Sequence, residues 1–529
     1  MQTKNNWTYR WLGHVILLFV FVISIFIRND YREQPLGDQE WITAHALITT
    51  QIWADHGGPL AYNFNPVYTK PGKGNNYRDY LGGVFAENGD VYYVSYPPLS
   101  FYFLYYGNKF LGGQNIQNTR TIGLILHLVS ALLLLYLIQL LQNNKNKNHF
   151  NFGGIITACL YLLMDGFMWI HGHLFFVDIM VIPLFLLTLI FAVRFWKNLD
   201  NWNLFFLCLF IFLASYTEWL GVFSGFILGI TSAFIAYKEK KKRYLFAFIG
   251  AGLSTALAIG LTLIQYSSIA GWKEFFEQSR RKFIERSGHG QIQDSSQQFN
   301  LHNSDSFEYM INLFDGQFRY LWVFTLIVFF AYFMITTVSK NKLLIINYGE
   351  KIFFAFTISI LMHYLLFYNF NVMHSFGGLK TAVFFLFIAG ILINKINEKH
   401  IIQPNHFKIT LIILAVFCVS FSIQRFTTQH KTSASFKNHL EIAKIMRNYD
   451  YPNWAYFSNI PVTPQYVFYA NHCYTTTPAL NYDYMSDIMD LRRNDTALYF
   501  HQTKEKLTFI QEIYRKNDQL IFGNKVLIP

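Results

Sequence analysis

The chain has 529 residues, 53% hydrophobic, 19% aromatic and only 14% charged. A soluble domain carries about 25% charged residues, so these proportions exclude an ordinary soluble globular protein. The formal net charge of +12 would suggest nucleic acid in a soluble chain. Here most Lys and Arg stand in short loops between apolar runs, which argues for a membrane and against a nucleic-acid partner.

A spanning helix needs about 20 mostly apolar residues, and about eleven runs come near that length. In chain order they cover residues 12–27, 121–141, 153–169, 174–196, 204–216, 220–237, 245–266, 320–338, 352–368, 379–393 and 407–423. The run at 204–216 is short. No small-residue cleavage site follows the first run, so it reads as a retained helix. Residues 96–112 are apolar but open on Pro97-Pro98 and carry four Tyr; they read as an interfacial helix rather than a span.

The basic residues set the orientation. With Lys4 and Arg10 inside, the inner loops collect Lys145 and Lys147, Lys197, the basic run at 238–243, then Lys340, Lys342, Lys351, Lys395, Lys399 and Lys408. The short outer turns near His171, Thr217 and Asn371 carry no Lys or Arg between their helices. Arg28 and Arg32 break the trend, but they open a long segment, where the rule is weak. An odd helix count leaves the C-terminus outside.

Three outer regions are therefore large. The first, 28–118, holds an amphipathic helical pattern over 40–56 and a hairpin signal at Asn88-Gly89. The second, 271–319, starts basic. The third begins near residue 424. It mixes helix-like stretches (436–446, 504–514) with strand-like ones (454–457, 520–522), which predicts a small α/β domain. The domain plan is thus a transmembrane module over 1–423 and a non-cytoplasmic domain over 424–529.

Several groups can carry chemistry. Asp38 and Glu40 precede the 40–56 helix. They suit a cap and the helix dipole, or a general base at the membrane surface that takes a proton from an acceptor hydroxyl. His171 and His173 sit in a tiny turn with Asp178 one turn into the next span. Such a set can bind a divalent metal; otherwise the histidines cap and Asp178 bonds to a neighbouring span. Glu218 beside Trp219 either holds a sugar hydroxyl, pairs with a cation, or stands exposed beside an interfacial Trp. Arg280, Arg281 and Arg286 follow an aromatic stretch at 272–276 that reads as interfacial; an arginine fork grips phosphate, or meets ordinary anionic headgroups. His363, inside a span, reads as a core histidine bonded to another helix. His374 and Lys380 flank an outer edge where phosphate or sugar is reachable.

These pieces together resemble the GT-C glycosyltransferase superfamily, in particular the branch of protein O-mannosyltransferases and lipid A aminoarabinose transferases. The matching residues are Gly37-Asp38-Gln39-Glu40-Trp41, then Tyr96-Pro97-Pro98-Leu99-Ser100-Phe101-Tyr102, then Asn118-Thr119-Arg120 before the second span; His171 to Pro183 is similar to the family's second outer turn, where an Asp recurs. The resemblance implies a polytopic α-helical fold of GT-C type, with interfacial helices in the first outer loop and a small C-terminal α/β domain. It implies a polyprenyl-phosphate sugar donor and carries the catalytic base onto Asp38. The other groups above are the candidate substrate contacts, with Arg280, Arg281 and Arg286, and behind them His374 and Lys380, as cations for the leaving phosphate; no cofactor is expected. No Trp-Trp-Asp-Tyr-Gly motif of oligosaccharyltransferase catalytic subunits occurs.

The expectation is an inverting glycosyltransferase in a bacterial-type inner membrane. It would act on the outer side and pass the sugar to a glycan, lipid or protein acceptor. The alternative is a transporter or flippase of a lipid-linked or anionic substrate. The lack of an internal repeat, the few charges at mid-span and the soluble tail speak against it. A third reading is an assembly protein whose tail binds a partner.

Overall fold

A computed structural model describes residues 5–32, 34–37, 40–67, 84–86, 90–142, 151–288, 304–338, 349–398, 404–429, 434–449, 454–459, 463–470, 475–476, 485, 496–503, 506–516 and 519–527. Asp38, Gln39, Asn88 and Gly89 lie outside them. In chain order the helices are α1 (Asn5–Arg32), α2 (Trp41–Asp55), α3 (Leu99–Phe110), α4 (Ile116–Leu141), α5 (Phe152–Leu163), α6 (Asp165–His173) and α7 (Val177–Asn198). There follow α8 (Asn201–Ser215), α9 (Trp219–Glu239), α10 (Arg243–Ser287), α11 (Ser304–Val338), α12 (Gly349–Leu366), α13 (Tyr368–Met373), α14 (Gly378–Glu398), α15 (Pro404–Gln429), α16 (Ala434–Met446) and α17 (Pro464–Ala470). The protein is a multi-pass integral membrane protein. Among the described residues nine helices are long and apolar enough to cross a bilayer, or ten with a bent pair counted as one span.

The difference from eleven has two physical causes. Helix α8 has 15 residues, about 22 Å at 1.5 Å per residue, which is short of a hydrocarbon core of about 30 Å. The run at 153–169 is broken into α5 and α6 by a 58° bend. Asp165 opens α6 there, with its amide donating to Ser422 Oγ at 2.7 Å and its carboxylate accepting from the Ser422 hydroxyl at 2.9 Å and facing Arg425 Nε at 3.4 Å. The buried carboxylate is paired, and the break costs no orphaned group at that point.

The chain divides into two compact units. The first comprises Met1–Glu33, Arg120–Thr262 and Arg281–His430. Its described elements are all helices, and α7 is the most enclosed of its spans. Helices approach closely where side chains are small. Gly153 lies against α14, its amide donating to Asn394 Oδ1 at 2.8 Å, and a Cβ there would overlap the Gly390 carbonyl oxygen. Gly153→Ala is therefore expected to cost about 1–3 kcal/mol. Thermal unfolding of the purified protein checks this, and an unchanged midpoint would contradict the packing. Arg120 ties α4 to α1 by donating to the carbonyls of Tyr31 at 3.1 Å and Arg32 at 2.9 Å.

The second unit comprises Gln34–Thr119, Leu263–Arg280 and Lys431–Pro529. Helix α2 starts where the 40–56 pattern places it, but it is buried on almost all sides. Helix α3 begins after Pro98 and buries Phe101, Leu104 and Tyr105 while leaving Phe103, Tyr106 and Phe110 exposed. That exposed aromatic stripe suits an interface. Strands β1 (Val84–Phe85) and β2 (Val91–Tyr92) pair antiparallel around the Asn88-Gly89 signal. Within α10, Ala270 and Gly271 leave the helical region; Gly271 has φ 84°, which glycine tolerates. The helix resumes with Trp272 and Phe276, stacked on each other and exposed.

The C-terminal sheet has the order β4-β3-β5-β6-β7. Strands β3 (Trp454–Ser458), β4 (Thr475–Thr476) and β5 (Thr496–Thr503) run parallel, while β5, β6 (Lys506–Lys516) and β7 (Gln519–Leu527) form antiparallel hairpins. Phe457, Met485, Ala497, Tyr499 and Ile513 make its core. Of the stretch 504–514, residues 506–514 are strand rather than helix, and 504 and 505 lie outside the described residues. As an interior strand paired on both sides it takes its conformation from β5 and β7, and pairing overrides the local pattern.

Candidate active site

Four ionisable side chains of the first unit meet in its interior. Each comes from a different helix end. Asp178 lies in the first turn of α7 and Glu218 is the N-cap of α9, its Oε2 accepting from Leu220 N at 2.7 Å. Both carboxylates sit where a helix dipole favours negative charge. His363 lies in the last turn of α12, and Lys380 in the first turn of α14. That end of a helix disfavours a cation, so the ammonium depends on its partners. Lys380 Nζ donates to Asp178 Oδ1 at 2.7 Å and to Glu218 Oε1 at 3.3 Å. All four side chains are buried.

His363 is contacted through both of its ring nitrogens. Asn371 Nδ2 donates to the carbonyls of Phe367 at 2.9 Å and His363 at 3.2 Å, which fixes the amide orientation. The same Nδ2 faces His363 Nδ1 at 3.3 Å, so Nδ1 accepts. His363 Nε2 lies 2.7 Å from Glu218 Oε1. Lys380 Nζ lies 3.0 Å from the same Nε2. Asp178 Oδ2 makes no hydrogen bond among the described residues.

Beside this cluster lies an apolar groove of about 980 Å³ between α11, α12 and α14, lined by Phe314, Trp322, Leu326, Leu361, Phe384 and neighbours. Tyr364 and Thr381 line it too, and each is the chain neighbour of a cluster member, His363 or Lys380. Tyr364 keeps its hydroxyl bonded to Gly377 O at 3.1 Å, and its ring stands 6.5 Å from the His363 ring. The groove thus runs past the charged cluster at a distance of one residue.

The remaining candidates separate. His171 and His173 point into different surroundings. Tyr161 Oη is 2.7 Å from His171 Nε2, and the His171 ring stacks on His127 at 4.5 Å. His127 Nδ1 faces Arg28 Nη1 at 3.2 Å and its Nε2 faces Tyr161 O at 2.8 Å. Arginine only donates, so His127 is neutral with its proton on Nε2. Arg28 is buried and also bonds Ser24 Oγ at 2.7 Å. His173 instead stacks on Trp169 at 3.9 Å. Neither histidine joins Asp178. Among the described residues no three His, Cys, Asp or Glu form a metal-holding group. Asp178, Glu218 and His363 do converge, and the Lys380 ammonium occupies the point between them.

Arg286 is buried, with its guanidinium 5.3 Å from the Phe370 ring centre. His374 meets the same ring edge-on at 4.7 Å. Burial, then the Arg286 charge, hold His374 down at about 4, so it is neutral at pH 7. Arg280 and Arg281 are exposed. Lys282 next to them is paired with Glu285 at 2.6 Å. In the second unit, Glu40 Oε2 accepts from Gly37 N at 2.6 Å. Asp38 stands outside the described residues. Sequence reasoning did not single out Arg28, His127, Asp165 or Arg425 as a partnered set. The available signal was an ionisable residue inside an apolar run.

No protein-family model matches the chain, and no curated protein matches it. Solved structures do. ArnT from Cupriavidus metallidurans bound to undecaprenyl phosphate superposes with a TM-score of 0.56 at 10% identity, covering 98% of this chain and 98% of that one. The archaeal oligosaccharyltransferase AglB from Archaeoglobus fulgidus, in complex with an inhibitory peptide and a dolichol-phosphate, gives 0.55 at 11% identity over 93% of this chain and 70% of that one. The Archaeoglobus fulgidus oligosaccharyltransferase in complex with Zn and sulfate gives 0.56 at 12% identity, over 92% and 68%. Both neighbours are GT-C glycosyltransferases, and the chain spans nearly the whole of one of them, so its fold is the GT-C fold.

Proposed function

We propose that the chain is an inverting glycosyltransferase that moves a sugar from a polyprenyl-phosphate donor to an acceptor on the outer side of a bacterial-type inner membrane. The observation that carries this reading is the long apolar groove beside a buried charged cluster, in a fold shared with proteins solved with polyprenyl phosphates. A groove of that volume, walled by Phe and Leu, suits part of an isoprenoid chain.

The chemistry needs few groups. The acceptor oxygen forms a bond to the anomeric carbon from the face opposite the phosphate. The carbon–oxygen bond to phosphate breaks, and its electron pair leaves on the phosphate. Asp38 takes the acceptor proton, and phosphate departs without being protonated. Arg280 and Arg281, exposed, supply charge for the developing phosphate dianion, with Arg286 near them in the chain. Lys380 is already committed to two carboxylates. Its role is to hold Asp178 and Glu218 in place, where Asp178 Oδ2 is left to accept a sugar hydroxyl.

The test is transfer from a panel of undecaprenyl-phosphate-linked labelled hexoses and pentoses to cell-envelope extract by the purified protein in proteoliposomes. Labelled glycosidic product of inverted configuration is expected. Thr357→Trp, which fills the groove, is expected to raise KM for the long-chain donor. Movement of labelled lipid across the bilayer with no glycosidic product would instead favour a flippase and sink the transferase reading.

A further inference from the structure

Two side chains of α17 hold the backbone that leads into α2. Gln465 Nε2 donates to Gly37 O at 3.1 Å, and Leu36 N donates to Tyr469 Oη at 3.0 Å. Gln465 and Tyr469 are one helical turn apart and share a face. Gly37 O also accepts from Glu40 N at 3.0 Å, while Glu40 Oε2 accepts from Gly37 N at 2.6 Å. Residues 37 and 40 are therefore tied to each other and to the far end of the chain. Beneath them Leu36, Ala44, Leu47 and Ile116 form a buried cluster against Phe468 and Tyr469.

A turn closed over residues 37–40 requires only the Glu40 contacts. The two bonds from α17 join residues 428 and 433 positions apart in sequence, and closing loops that long costs chain entropy that local capping avoids. Their placement is specific: both reach the backbone immediately before position 38. We infer that Gln465 and Tyr469 are positioning residues for the transferase, holding the backbone at Leu36 and Gly37, next in the chain to Asp38. This rests on the reading of Asp38 as base given above. The C-terminal segment is then part of the transferase and not a separable partner-binding module. Rates of proton transfer and attack depend steeply on such placement, since a 1 Å error can cost 10²-fold.

The experiment uses the full chain with Gln465→Met, which keeps length but removes the donor, and Tyr469→Phe, which keeps the ring and the cluster packing. Lys525→Ala on β7 serves as the control. Amide hydrogen exchange is followed in the peptide covering 34–41, beside transfer from the undecaprenyl-phosphate sugar that the unmodified protein uses. Exchange at 36, 37 and 40 is expected to speed up about five- to tenfold for each lost bond. Turnover is expected to fall about 10- to 100-fold with KM unchanged, and the control to move neither. If exchange in 34–41 stays at its original rate in both variants, the clamp is refuted. If exchange rises but turnover does not fall, the positioning role is refuted while the clamp stands. A protein that transfers no sugar from any donor in the panel sinks the transferase reading instead, and exchange then judges the clamp alone.

Discussion

Asp38→Asn is expected to lower the rate of sugar transfer by about 10²- to 10⁴-fold, the usual contribution of a positioned general base. The change keeps the shape of the side chain and removes only its ability to take a proton. If Asp38 is the base proposed above, the loss appears in turnover, with donor affinity little altered, because such a base acts on the acceptor proton only as the bond forms. Glu40 provides the contrast. It stands at the N-cap position of α2 and its carboxylate is bonded to Gly37 N rather than to a helix amide, so Glu40→Gln weakens a turn and leaves any base in place. Steady-state kinetics of the two variants side by side check the assignment. Equal transfer by the Asp38→Asn protein and the unmodified one would remove Asp38 from the mechanism.

Lys380→Met is expected to destabilise the protein by about 3–5 kcal/mol, the range for removing one partner of a buried ion pair. The methionine fills most of the volume, so the loss is electrostatic. Asp178 and Glu218 would be left facing each other in a dry interior with no cation between them. Asp178→Asn should cost less, because Glu218 still pairs with the ammonium at 3.3 Å and with His363 at 2.7 Å. Restoring balance in the double variant Lys380→Met, Asp178→Asn should recover part of the loss, since coupled residues do not add. Unfolding midpoints in detergent measure all three. A Lys380→Met protein as stable as the original would mean that the cluster is not held by charge.

Much of the fold was legible before any coordinates. A bilayer permits few solutions, so apolar length alone locates most spans. Where reading failed, local sequence was not the deciding force. The break between α5 and α6 depends on Ser422 and Arg425, far along the chain, which partner Asp165. The strand at 506–516 depends on neighbours on both sides. Of the site, Asp178, Glu218 and Lys380 were recognisable as ionisable groups near helix ends, and His363 as a core histidine inside a span. Their meeting was not, because nothing in a single sequence pairs residue 178 with residue 380. The His171-x-His173 spacing suggested a shared ligand, yet successive positions on a helix face different ways, and each ring found its own stack.

The second unit is assembled from three stretches of chain, the first ending at Thr119 and the last beginning at Lys431. During synthesis the early stretch emerges roughly 300 residues before the tail that closes on it, a wait of about 15–60 s at 5–20 residues per second. Buried positions such as Leu36, Ala44 and Leu47 stay uncovered in that interval. A nascent chain of this design is therefore a natural client for chaperones. A ribosome that stops early leaves a product whose membrane helices are inserted while its first extramembrane segment has nothing to fold against.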